Sequence, residues 1–166
     1  MSSGDLRPEQ LFADDLTIGQ SFAGEPRAVG DAAFKAFAGM TGDDHPIHDD
    51  DAYAAKTRFG KRLAHGLLLM AMTAFGATKM SHRFNDSMVA FIGQDCRFLK
   101  PVFVDAVLTS HFKVASVDIK PGRDTAVVRF DVSLVNADGD TVLEGHHTYL
   151  LLCKAAAREL GTAHAG

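Results

Sequence analysis

No charged residue occurs between Ala64 and Thr78, and that stretch limits more than any other what the chain can fold into. Leucines at 67, 68 and 69, Met70, Met72 and Phe75 surround a helix drawn over it on most sides, and a helix that is apolar all round must be covered all round. The stretch begins with a histidine, contains glycines at 66 and 76, and falls short of the roughly 18 to 20 apolar residues that cross a bilayer. It therefore predicts a buried helix from about His65 to Lys79, for which the rest of the chain must supply the cover.

Four β-rich runs follow: Met88 to Phe98, Val104 to Val117, Thr125 to Val135 and Thr141 to Leu152. In the third, Val128, Phe130, Val132 and Leu134 alternate with Arg129, Asp131 and Ser133, the period of a half-buried strand. Pro121-Gly122 and Asp138-Gly139 supply turn signals between the last three runs. Upstream, Gln20 to Val29 reads as a strand between two glycines, and Asp31 as the N-cap of a short helix carrying Phe34, Phe37, Ala38 and Met40 as far as Thr41-Gly42. Asp51 to Thr57 suits a second short helix. Gly42 to Asp51 reads as a loop, because Pro46 lacks a backbone donor and biases His45 away from helical dihedrals. Strand, helices, buried helix and antiparallel meander is an α+β order, an antiparallel sheet wrapped around one long central helix. One domain over residues 1–166 is expected, with its core at about 12–152, a short polar lead and an Ala/Gly-rich tail.

Composition removes several classes of function. A net charge of −4, a pI near 6.0 and the absence of any Lys/Arg cluster argue against nucleic acid as a partner, which requires a basic face. Cys96 and Cys153 have neither redox nor zinc-knuckle spacing and read as reduced thiols. Met1 to Gln10 carries no apolar signal core, so a cytoplasmic protein without a membrane partner is expected.

The chemistry concentrates in Phe37-Ala-Gly-Met-Thr-Gly-Asp-Asp-His-Pro-Ile-His-Asp-Asp-Asp-Ala-Tyr-Ala, then Thr57-Arg-Phe-Gly, then Leu63-Ala-His-Gly-Leu-Leu-Leu. Asp43 and His48 stand five positions apart (48 minus 43) across a proline-constrained loop, so both could grip one water, and a histidine changes charge near neutral pH. Gly66 opens the apolar helix, where backbone N–H groups lack intrahelical partners and no side chain blocks approach. His45 and His48, with aspartates at 43, 44, 49, 50 and 51, would also suit a metal ion. Taken singly, Asp43 is an ordinary turn residue and His48 a solvated loop histidine.

Together these segments resemble the signature of the MaoC-like, (R)-specific enoyl-CoA hydratase family. That signature runs threonine or serine, glycine, aspartate, any residue, asparagine, proline, isoleucine or leucine, histidine, with an alanine- or valine-His-Gly step downstream. Two positions depart from it: His45 replaces the usual asparagine, and Asp105 follows Val104 where many relatives have Gly-Asp. The resemblance spans about Phe12 to Leu152. It implies a hot-dog fold, usually dimeric, and reversible addition of water to an enoyl thioester such as an acyl-CoA. It implies Asp43 and His48 as catalytic residues and Gly66 as the donor to the thioester carbonyl. His65, near the site, and Arg97 and Lys100, toward the phosphates of coenzyme A, are further candidates for substrate binding. No metal and no separate cofactor are expected, coenzyme A being part of the substrate. A hot-dog thioesterase and a non-catalytic acyl-thioester or metal-binding module are the competing functions.

Overall fold

The computed structural model describes residues 8–119 and 122–155; the polar lead to Arg7, Pro121 of the expected turn and the tail from Ala156 lie outside them. Six strands, β1 (Ser21–Ala23), β2 (Arg27–Val29), β3 (Met88–Phe98), β4 (Ala106–Ile119), β5 (Thr125–Asn136) and β6 (Thr141–Leu152), form one antiparallel sheet. Its order is β1-β4-β5-β6-β3, with β2 beside β1 on the same edge of β4. The single strand expected over residues 20–29 is thus two, interrupted at Gly24 to Pro26. A Cβ at Gly24 would come 2.6 Å from Ser110 Oγ, and Pro26 has no N–H for the ladder.

Helix α1 (Asp31–Thr41) forms as its apolar spacing requires, although the capping position is Gly30 and Met40 points into solvent. The expected loop is partly helical: α2 (Pro46–Asp49) carries proline at a first-turn position, where a missing N–H costs nothing, and α3 (Asp51–Ala54) follows. The central helix is much shorter than its sequence suggests. α4 covers only Gly66–Ala71 and gives way to 3₁₀ turns at Phe75–Ala77 and Lys79–Phe84. Thr73 accounts for the break, since its hydroxyl donates to the Met70 carbonyl at 2.6 Å and competes with the backbone ladder.

The inner face of the sheet is covered in two parts. Phe34, Phe37, Leu68 and Leu69 pack on Leu108, Leu134 and Leu143 at one end; Phe75 and Phe84 pack on Phe112, Phe130 and Leu151 at the other. In β5 the expected alternation is present, with Val128, Phe130, Val132 and Leu134 buried. The terminal strand β3 behaves differently. Among the described residues it pairs with β6 alone and leaves Met88, Val89, Phe91, Ile92 and Phe98 exposed. Leu67 on α4 is exposed as well, so a single chain does not cover this helix on every side.

Candidate active site

Helix α1 ends at Gly42, whose φ of 78° turns the chain sharply into Asp43. The Thr41 hydroxyl donates to the Phe37 carbonyl at 2.7 Å and accepts the Asp43 N–H at 3.3 Å, fixing the start of the loop. His45 Nδ1 then accepts the N–H of Ile47 at 3.2 Å, so this imidazole caps α2 as an asparagine oxygen would. On α2, His48 Nδ1 lies 2.7 Å from the Leu63 carbonyl. A carbonyl only accepts, so Nδ1 holds the proton and Nε2 presents a lone pair.

His65, 1% exposed, packs face to face on His48 with ring centroids 3.8 Å apart and planes 24° from parallel. Its Nε2 lies 3.0 Å from the Asp43 carbonyl oxygen. Burial, and secondarily the neighbouring His48, push its pKa below the usual imidazole value, with partial opposition from the Asp43 carbonyl and charge. Asp43, His48 and His65 each bring one ligand-type atom within 4.8 Å of the other two. They line a cavity of about 200 Å³ with Phe34, Lys35 and Asp49. The group is poorly arranged for a shared metal ion. Ligation uses lone pairs in the ring plane at about 2.0–2.1 Å, and two nearly parallel stacked planes do not meet within that distance of both nitrogens.

Gly66 is the first residue of α4 and faces a separate cleft of about 310 Å³ with Leu63, Ala64, Phe98 and Lys100. The Phe98 ring lies across it, 3.1 Å from where a Cβ would stand. Lys100 is bridged to Asp140 at 2.7 Å. Arg97 is not brought to either cavity; it extends from the outer face of β3 and pairs with Glu144 at 2.7 Å. The cation that does share the cleft of Gly66 and Lys100 is Arg58, stacked over Phe59 at 4.6 Å. Sequence reasoning passed over Arg58, although it lies within the quoted Thr57-Arg-Phe-Gly segment.

The family model for the MaoC like domain matches residues 14–137. The chain belongs to the MaoC-like family. An (R)-specific enoyl-CoA hydratase of Aeromonas caviae is 30% identical over 107 residues, covering 64% of this chain and 77% of that protein. The structure of an unliganded R-hydratase from Pseudomonas aeruginosa superposes with a TM-score of 0.70 at 25% identity, over 86% of each chain. A Mycobacterium tuberculosis protein with a double hot-dog fold gives 0.71 at 21% identity, over 87% of this chain and 45% of its own. The fold of this MaoC-like chain is therefore the hot-dog fold, here with a broken central helix. The match takes in the whole Asp43 to Gly66 region and ends at Ala137, in the turn after β5.

Proposed function

We propose that this protein reversibly adds water across the double bond of a trans-2-enoyl thioester, giving the (R)-3-hydroxyacyl thioester. The observation that carries the reading is the convergence of Asp43 and His48 on one small cavity, inside a segment that matches a family with hydratases among its members. Hydration needs a base for water, a proton donor for the α-carbon and a stabiliser for the enolate-like oxygen. His48 Nε2 accepts a proton from a water also held by the Asp43 carboxylate, and the protonated pair returns a proton to the α-carbon. The Gly66 N–H, one residue from His65, serves the thioester oxygen of a substrate that enters by the neighbouring cleft and reaches the water between Asp43 and His48. Arg58 and Lys100, beside Gly66, suit the phosphates of a coenzyme A carrier, with Lys100 exchanging its bond to Asp140.

Loss of the conjugated enoyl absorbance of crotonyl-CoA, measured with a thiol reagent in parallel, tests this. Absorbance loss without free thiol is expected; thiol release would identify a thioesterase, and no change with crotonyl-, octenoyl- or branched enoyl-CoA would overturn the reading. Activity is expected to survive EDTA and dialysis, and loss restored by zinc or manganese alone would establish a metal requirement. The enzyme is expected to act as a homodimer or larger assembly, because β3 leaves an apolar sheet edge open. Among the described residues no helix is long and apolar enough to cross a membrane.

A further inference from the structure

Among the described residues, the buried Nδ1 of His65 has no hydrogen-bond partner. Nε2 faces the carbonyl oxygen of Asp43 at 3.0 Å and must carry the ring proton, so Nδ1 is a bare lone pair. Nearly every buried polar atom in a protein is satisfied, and an orphan here is retained because the same ring makes two other contacts. One face lies on His48, and Phe34 at 5.6 Å and Phe37 at 4.9 Å hold it from the side of α1. The groups around the pair are His48 and Asp43 in direct contact, His45 with its ring centroid 6.2 Å from that of His48, and Lys35, Asp44 and Asp49 along the cavity.

We propose that His65 is a positioning residue, which rests on the hydratase reading for its consequence in turnover. By stacking on His48 and donating to the Asp43 carbonyl it fixes both groups toward one water, without touching substrate. Its two contacts act on different partners. The stack sets the tilt of the His48 ring, whose Nδ1 is held by the Leu63 carbonyl. The Nε2 bond sets the backbone from which the Asp43 carboxylate projects. A protonated His65 would place a cation against the ring that must itself take up a proton, so the stack requires a neutral partner, and burial keeps it neutral.

Two variants separate the contacts: His65→Phe keeps an aromatic face and loses the donor, while His65→Gln keeps a donor and loses the face. Each is expected to lower kcat for crotonyl-CoA by about 10- to 100-fold, as expected for displaced reacting groups, with KM held within about threefold. An unchanged kcat in a folded variant overturns the proposal, and a raised KM at constant kcat makes His65 a substrate contact instead. Ring ¹⁵N NMR of the wild-type protein gives a reading independent of turnover. At pH 7.5 His65 is expected as the neutral Nε2–H tautomer and His48 as the Nδ1–H tautomer, with His65 titrating below the ordinary imidazole value; a His65 that titrates at or above that value, or carries its proton on Nδ1, overturns the proposal whether or not the variants fold. A wild-type protein inert toward enoyl thioesters that still shows these two tautomers would sink the hydratase reading alone.

Discussion

Acidification should weaken the fold through His147 before the surface carboxylates respond. His147 is 3% exposed on β6, with Nε2 3.1 Å from Thr73 Oγ1 and Nδ1 3.2 Å from the Tyr149 hydroxyl. Because the Thr73 hydrogen is committed to the Met70 carbonyl, Nε2 must donate and Nδ1 must accept, so the native ring has no site for a second proton. Burial lowers its pKa from 6.5 to about 4. The unfolded chain takes up that proton near 6.5 and the folded chain only near 4, so stability is full above pH 6.5, falls through this window and levels off below it. At about 1.4 kcal/mol per pH unit the gap amounts to about 3 kcal/mol. Carboxylates held low by ion pairs, such as Asp31 and Asp95, lose their contribution only as pH falls through and below about 4. Urea unfolding at fixed protein concentration, compared at pH 7.5 and 5, should show the loss in the wild type and a clearly flatter dependence in His147→Phe. The buried His65 adds a smaller effect of the same sign in both. Equal pH dependence in wild type and variant would refute the argument.

Asp43→Asn and His48→Gln should each reduce turnover by about 10² to 10⁴-fold, and the double variant should be little worse, since two groups on one water act as a unit; near-additive losses in steady-state assays would count against a shared water. His45→Asn keeps a side-chain acceptor for the Ile47 N–H and should retain substantial activity. Gly145→Ala would drive a Cβ into the Asp95 carbonyl oxygen, so β3 must shift from β6, with cooperative unfolding at a lower temperature by calorimetry. Replacing Phe91 on the open edge by lysine should convert the assembly to monomers in light scattering, and an unchanged mass would place the contact elsewhere.

The meander was legible because β4, β5 and β6 each bury one face, which writes a period of two into the sequence. β3 was legible only as a β-rich run. Its side chains are exposed on both faces within one chain, so no alternation marks it. The length of the central helix was misjudged because apolar composition does not register the Thr73 hydroxyl that ends it. In the site, Asp43 and His48 could be found because one local segment carries both. The carbonyls of Asp43 and Leu63 that set the two histidine tautomers leave no trace in side-chain sequence, and neither does the stack of His65 on His48. Asp105 adopts the αL conformation, φ 65°, where the backbone turns to enter β4, and aspartate is among the few residues other than glycine that tolerate it.

The four residues from Leu63 to Gly66 tie these observations together. The Leu63 carbonyl orients His48, the His65 ring supports His48 and Asp43, and the Gly66 N–H opens α4 on the neighbouring cleft. The acidic loop and the cations Arg58 and Lys100 therefore serve different cavities while sharing one backbone segment. In the proposed reaction such a separation suits an anionic substrate meeting a protein of net charge −4: attraction acts in the cleft with the cations, whereas the Asp43 carboxylate assigned to proton transfer stands apart from them. Because the segment is held on both sides, through Ala64 N–H to the Val102 carbonyl and Leu63 N–H to the Ile47 carbonyl, a displacement on one side is transmitted to the other. In the proposed reaction, binding at the cleft and proton transfer at the cavity are coupled through this backbone segment together with the His65 ring.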